Sequence, residues 1–178
     1  MMNKVIAIHA ARVALAGLAL ASGLTFAASG AVCPWGDSAT VPVVNQKHVF
    51  CGEINKKGKA VGFHSRPGGT LPATVQVTDD TVIAPTTSTG IYEMTKFDIL
   101  DGNQGPASKT RSTMFPDSCS HDQVLAAIVN AASGSTTDTG KFTGSSGSGC
   151  TVGGKAFAIE GWLLDGKVNT AYPSAIKP

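Results

Sequence analysis

The sequence predicts an α+β fold, a mainly antiparallel sheet packed with few helices. Three observations carry that expectation. Short segments in which apolar and polar residues alternate recur along the chain, bounded by Gly, Pro, Asn or Asp. Only one segment beyond the N-terminal stretch combines helical periodicity with start and stop signals. Gly, Ser and Thr are abundant while aromatics are 6% of residues, which favours strands, turns and loops over long helices.

The first stretch is set apart from that fold. MMNKVIAIHAAR carries Lys4 and Arg12, VALAGLALASGLTF is apolar, and AASGA supplies small residues. A basic start, an apolar run too short to span a bilayer and a small-residue site make residues 1–28 a secretory signal peptide. Thr25-Phe26-Ala27 and Ser29-Gly30-Ala31 both suit the cleavage positions. Residues 32–178 then form one domain, long enough for a single core. No second long apolar run follows, so the mature form has no membrane segment and is expected to be secreted or periplasmic. The signal segment holds two of the 14 basic residues and none of the 12 acids, so the remainder is charge-balanced. Any anionic partner must therefore be met by a local patch rather than by overall basicity.

Cys33-Pro34-Trp35-Gly36 reads as an irregular start, and 41–44 (VPVV) as short and extended. Residues 54–63 read as a hairpin with its turn over 55–59, where Gly58 supplies a positive φ. Thr74-Val75-Gln76-Val77 alternates as a strand, and APTTS (84–88) is a loop. In 90–100 the alternation assigns Ile91, Glu93, Thr95 and Phe97 to one face, and Tyr92, Met94, Lys96 and Asp98 to the other. Asp101-Gly102-Asn103 signals a turn. Residues 108–115 form a strand stopped by Pro116, with Lys109, Arg111 and Thr113 on one face. Residues 120–132 are the helix: Ser120 and Gln123 make a capping box, and Gly134 suits its C-terminal end. His121, in its first turn, reads as a solvated residue. Residues 134–149 are a polar Gly/Ser/Thr stretch that reads as a long flexible loop anchored by Cys150. The C-terminus is a hairpin, strands 155–164 and 167–172 joined by Asp165-Gly166, with Thr170 and Tyr172 on one face.

Cys33, Cys51, Cys119 and Cys150 all lie beyond the signal segment. Four cysteines in an exported chain imply two disulfides, with three connectivities open. No pair has C-x-x-C spacing and no histidine stands at ligand spacing, which argues against zinc. No carboxylate cluster has an ion-site pattern either. No metal and no other cofactor is expected.

The chemistry concentrates in 47–69, KHVFCGEINKKGKAVGFHSRPGG. His48 and His64 stand near its ends, with Lys47, Lys56, Lys57, Lys59 and Arg66 against the single acid Glu53. Two imidazoles beside a cationic, glycine-rich segment point to proton transfer next to an anion, because histidine exchanges protons near neutrality.

Four pieces then follow in order: His48-x-x-x-Gly52-Glu53; Gly62-Phe63-His64-Ser65; Lys109 with Ser112-Thr113-Met114-Phe115-Pro116; and Thr170-Ala171-Tyr172-Pro173. From about Asn45 to Pro173 the chain resembles the bacterial EndoU nuclease domain, related to the coronaviral uridylate-specific endoribonuclease and the eukaryotic EndoU enzymes. The resemblance implies cleavage of RNA 3′ of uridine, leaving a 2′,3′-cyclic phosphate. It implies His64 as base, His48 as acid and Lys109 as the catalytic cation, with Arg111 and the weaker Lys96 as rivals for the last role. It makes Thr113, with Ser112 its rival, the reader of the base, and adds Thr170 and Tyr172 as substrate contacts. A free-standing exported nuclease suggests a toxin or a scavenger of RNA, and a toxin implies a cognate immunity protein as partner. The rival reading is a non-catalytic exported binding module on the same scaffold.

Overall fold

Two three-stranded antiparallel sheets and a short hairpin carry the regular structure of the computed structural model, which describes residues 30–84, 90–102 and 104–174. The expected signal segment, most of the expected 84–88 loop and Asn103 of the expected turn lie outside the described residues. The hairpin pairs β1 (Glu53–Ile54) with β2 (Ala60–Val61). One sheet has the order β3 (Val75–Ile83), β4 (Tyr92–Asp101), β5 (Gln104–Met114), and the other β6 (Gly140–Ser145), β7 (Ala158–Leu164), β8 (Lys167–Pro173). Helix α1 (His121–Ala132) packs on β6 and β7. The α+β class and its antiparallel pairing agree with expectation. No helix among the described residues is long and apolar enough to cross a membrane.

Each sheet covers its own core. Val44, Val49, Phe50, Phe115 and the apolar face of α1 pack against β6–β8. Phe63, Met94, Phe97, Ile99 and Met114 pack under β3–β5. Removing a side chain of this size from water contributes ~1.5–3 kcal/mol. Val49 and Phe50, next to His48, anchor in the first core, whereas Phe63, next to His64, anchors in the second. The seam between the cores is therefore where the two histidines meet.

Two local expectations are corrected. Strict alternation in β4 separates Met94 from Phe97, yet both are fully buried. Lys96 has φ 55° and the β3–β4 register shifts between Val77 and Val82, which turns the following residues over. The same irregularity parts Lys109 from Arg111 on β5. Lys109 pairs with buried Phe97 and is half-buried, while Arg111 pairs with Thr95 and is exposed. The expected flexible loop at 134–149 contains β6. Phe142 is buried there, and a Cβ at Gly144 would lie 2.2 Å from the Ala131 carbonyl oxygen, so only glycine lets this strand approach α1.

The turn expectations hold where residues are described. Asp165 and Gly166 take φ 51° and 76° between β7 and β8, as a two-residue hairpin requires. Ser120 and Gln123 form the reciprocal capping box. Of the three disulfide connectivities, the structure has Cys33–Cys51 and Cys119–Cys150.

Candidate active site

His48 lies in a five-residue π-helical turn, Lys47–Cys51, closed by Gly52 at φ 71° and tied by Cys51 to Cys33. His64 lies after β2, outside helix and strand. The two stretches are joined by main-chain hydrogen bonds: the Phe63 amide donates to the His48 carbonyl at 2.7 Å, and the His64 amide to the Val49 carbonyl at 2.7 Å. This approach needs Gly62, where a Cβ would stand 2.3 Å from the His48 carbonyl oxygen. From the other side the Phe115 amide donates to the His64 carbonyl at 2.7 Å, fixing His64 to the end of β5. The imidazole centroids are 6.0 Å apart, and the Tyr172 ring from β8 lies 5.2 Å from His64.

The histidines are held by different partners. His48 Nδ1 lies 2.8 Å from Glu53 Oε1. That hydrogen bond is the first cause of a Glu53 pKa below the usual carboxylate range, so the carboxylate is ionised and Nδ1 donates. His64 Nδ1 lies 3.0 Å from the Thr113 carbonyl oxygen and 3.0 Å from Ser112 Oγ. A carbonyl only accepts, so Nδ1 carries the proton and the lone pair resides on Nε2. Ser112 Oγ in turn donates to the Phe63 carbonyl at 2.5 Å, leaving its own lone pairs toward His64. Burial, aided by the charges of His48 and Lys109, pushes the His64 pKa down to about 3, against the opposing hydrogen bond to Thr113. The free protein therefore holds His64 neutral across the physiological range. Neither imidazole Nε2 has a hydrogen-bond partner among the described residues.

Lys109 is close enough for its charge to act on His64, and burial lowers its own pKa. Arg111, the rival cation, is 67% exposed and stands 3.6 Å from Glu93. Lys96 lies at the turned-over position of β4 and lines, with Asp80 and Asp98, a separate groove that also reaches Lys109. Ser112, expected with Thr113 to contact substrate, is buried, and its hydroxyl is occupied by His64 and Phe63. Thr113 stays half-buried and meets His64 through its carbonyl. Thr170 shares β8 with Tyr172 and lies opposite Trp162, without a hydrogen bond to either histidine. The structure thus gathers His48, His64, Ser112, Thr113 and Tyr172 by direct contact, and Lys109 through its field.

Three features escape sequence reading. Glu53 was visible as the only acid of the cationic stretch, but its reach to His48 depends on the π-helical turn. The stretch is also less cationic than its composition suggests. Lys47 pairs with Asp101 at 2.8 Å, and Arg66 forks onto Asp117 while its Nε donates to Tyr92 at 2.6 Å. The Arg66 cluster fixes the segment after His64 to the segment after β5. His121 is no solvated residue either: it stacks on Trp35 at 5.1 Å and meets Phe50 at 4.3 Å.

No group of three or more His, Cys, Asp or Glu among the described residues is arranged to hold a metal ion. No curated protein and no solved structure matches the chain. A family model does: the one described as bacterial EndoU nuclease matches residues 42–175, a span that contains both histidines, Lys109 and Tyr172. That match covers most of the chain, and the chain accordingly belongs to the bacterial EndoU nuclease family.

Proposed function

We propose that this nuclease is an exported endoribonuclease that cuts single-stranded RNA 3′ of uridine without a metal ion. The observation that carries the reading is the pair of imidazoles 6.0 Å apart, each with Nδ1 engaged and Nε2 without a partner among the described residues. RNA brings its own nucleophile, the ribose 2′-OH. His64 Nε2 takes the 2′-OH proton as the oxygen attacks phosphorus. The P–O2′ bond forms, the P–O5′ bond breaks, and His48 gives a proton to the departing 5′-oxygen. The products are a 2′,3′-cyclic phosphate and a free 5′-hydroxyl.

The surroundings support this division of labour. A neutral His64 with its lone pair on Nε2 is in the form a base requires. The arriving phosphodiester is an anion and raises the His64 pKa from its value in the free protein, which strengthens it as an acceptor. A proton on His48 has the Glu53 carboxylate as counter-charge at 2.8 Å. Lys109 stabilises charge on the non-bridging oxygens, a contribution often worth ~3 kcal/mol in such sites. Tyr172 stacks on the uridine, worth ~1–3 kcal/mol. Thr113 and Thr170 complete the substrate contacts, and Ser112 orients His64. Export by the 1–28 signal peptide is supported by the two disulfides, which persist in oxidising compartments. Outside the cell such an enzyme acts as a toxin or an RNA scavenger, and the toxin role calls for a cognate immunity protein.

The test uses the purified mature protein, a uridine-containing RNA, the same RNA with 2′-deoxyuridine at the cut site, and EDTA. The expected result is cleavage of the first RNA only, unchanged by EDTA, with a cyclic phosphate terminus. Cleavage of the deoxy substrate would overturn the 2′-OH mechanism, and loss of activity in EDTA would overturn metal independence.

A further inference from the structure

The three lysines at the hairpin tip take no part in the site described above. One of them, Lys59, lines a groove of about 500 Å³ between that tip and β5, with Lys109 and Arg111 on the other side; Lys56 and Lys57 precede it on the same turn. No acidic side chain lines the groove. Lys56, Lys57 and Lys59 are exposed and form no ion pair among the described residues. Their tip has a defined shape. Asn55 Oδ1 accepts from the Lys57 and Lys59 amides at 2.9 and 3.1 Å, the Asn55 amide donates to the Lys59 carbonyl at 3.0 Å, and the Gly58 amide donates to the Asn55 carbonyl at 2.8 Å. The cations are thus presented from a held turn rather than a loose one, which lowers the ordering cost of binding. Lys109 joins the groove to the catalytic centre, since the same side chain lines the groove and acts on His64.

We propose that this groove is a phosphate track that holds single-stranded RNA beyond the scissile linkage. The proposal rests on the RNA-cleaving reading and extends it from one nucleotide to a strand. Charge selects the path. A second groove that reaches Lys109 sets Asp80 and Asp98 beside Lys96, so it attracts a polyanion less than the acid-free groove does. A strand leaving the site past Lys109 is therefore steered toward Lys59. No aromatic side chain lines the track, so its contacts are to the backbone and independent of base sequence.

The test compares a uridine dinucleotide, which fills the catalytic centre and leaves the groove beyond Lys109 empty, with oligonucleotides of about ten residues extended on the 5′ or the 3′ side. The variants replace Lys56, Lys57 and Lys59 together, by Ser in one protein and by Arg in another. With wild-type protein, extension in one direction raises kcat/KM about tenfold at ~50 mM salt, and the gain fades by ~200 mM. The Ser variant loses that gain, and its slope of log kcat/KM against log salt is shallower by about 2. It cuts the dinucleotide as wild type does, which also shows that it is folded, and the Arg variant regains the long-substrate rate. Equal rates of wild type and Ser variant on the long RNA would overturn the track and assign the lysines to some other acidic partner. An equal loss on dinucleotide and long RNA would also overturn it. A wild type that cuts the dinucleotide but gains nothing from extension refutes the track alone. One that cuts neither refutes the RNA reading and the track with it.

Discussion

His48 and His64 are the same residue type, nearly equally buried, with rings 6.0 Å apart, yet the chain surrounds them in opposite ways. His48 sits in a tight helical turn with a carboxylate on Nδ1. His64 sits outside helix and strand with a carbonyl and a hydroxyl, both uncharged, on the same nitrogen. One environment gives an added proton a counter-charge. The other pushes the pKa down to about 3, chiefly by burial. The two groups, to which the proposed mechanism gives opposite jobs, thus differ in environment rather than in residue type. The backbones complete the contrast, since each histidine is anchored by a neighbouring phenylalanine in a different core.

The harshest way to break the comparison is to delete either ring. His48→Ala and His64→Ala should each lower kcat by ~10²–10⁴-fold, with the far-ultraviolet circular dichroism of the wild type retained. If one of them keeps near-wild-type kcat, the two-histidine mechanism fails. The next test removes the charge that distinguishes His48 while keeping the shape. Glu53→Gln should lower kcat by ~10–100-fold with little change in KM for the dinucleotide, because the amide still reaches Nδ1 but no longer offers a full counter-charge. Equal kcat in Glu53→Gln and wild type would mean that the carboxylate serves only the turn.

The same comparison shows how far the residues could be read. His48, His64, Lys109 and Tyr172 stand out as candidates because a sequence motif fixes residue type and order. The hairpins were legible because turn chemistry is local: Asn55 to Lys59 and Asp165-Gly166 form their turns from residues next to one another. What decides the two environments is not local. The Glu53 contact depends on a π-helical turn that no periodicity announces. Ser112 and Lys109 depend on how β5 meets β4, and one positive φ at Lys96 reverses the face that alternation assigns. Strand β6 was hidden because Gly and Ser signal a loop, whereas Gly144 is required by the close approach of the Ala131 backbone. Signals carried by long-range packing are absent from a window of neighbouring residues.

Acid provides a finer test of the His64 environment. Its folded pKa of about 3 lies well below the ordinary 6.5, so between those values the unfolded chain binds more protons than the folded one. The stability this contributes is fully present above pH ~6.5 and is lost as pH falls toward ~3, at up to ~1.4 kcal/mol per pH unit. Glu53 acts in the same direction, but only as pH drops below its own ordinary value, 4.5. Between pH ~6.5 and ~5 the loss should therefore belong to the histidine. Urea unfolding at those two values should show wild type losing roughly 2 kcal/mol more than His64→Asn. Parallel losses in the two proteins would mean that His64 is not held neutral.

The smallest expected effect separates orientation from substrate contact. Ser112→Ala removes one acceptor from His64 Nδ1 and the donor to the Phe63 carbonyl, but leaves the Thr113 carbonyl in place. The Nδ1–H tautomer therefore survives with a looser ring. A lost hydrogen bond of this kind is worth ~1 kcal/mol, so kcat should fall about fivefold while KM and the preference for uridine over cytidine stay as they are. If Ser112 instead contacts the base, as its place beside Thr113 in the sequence suggests, the loss would fall on KM and the base preference would relax. A buried hydroxyl that already joins two protein groups has no ready means of doing that. The split between kcat and KM thus reads directly whether the second partner of His64 serves the imidazole or the proposed contact with the base.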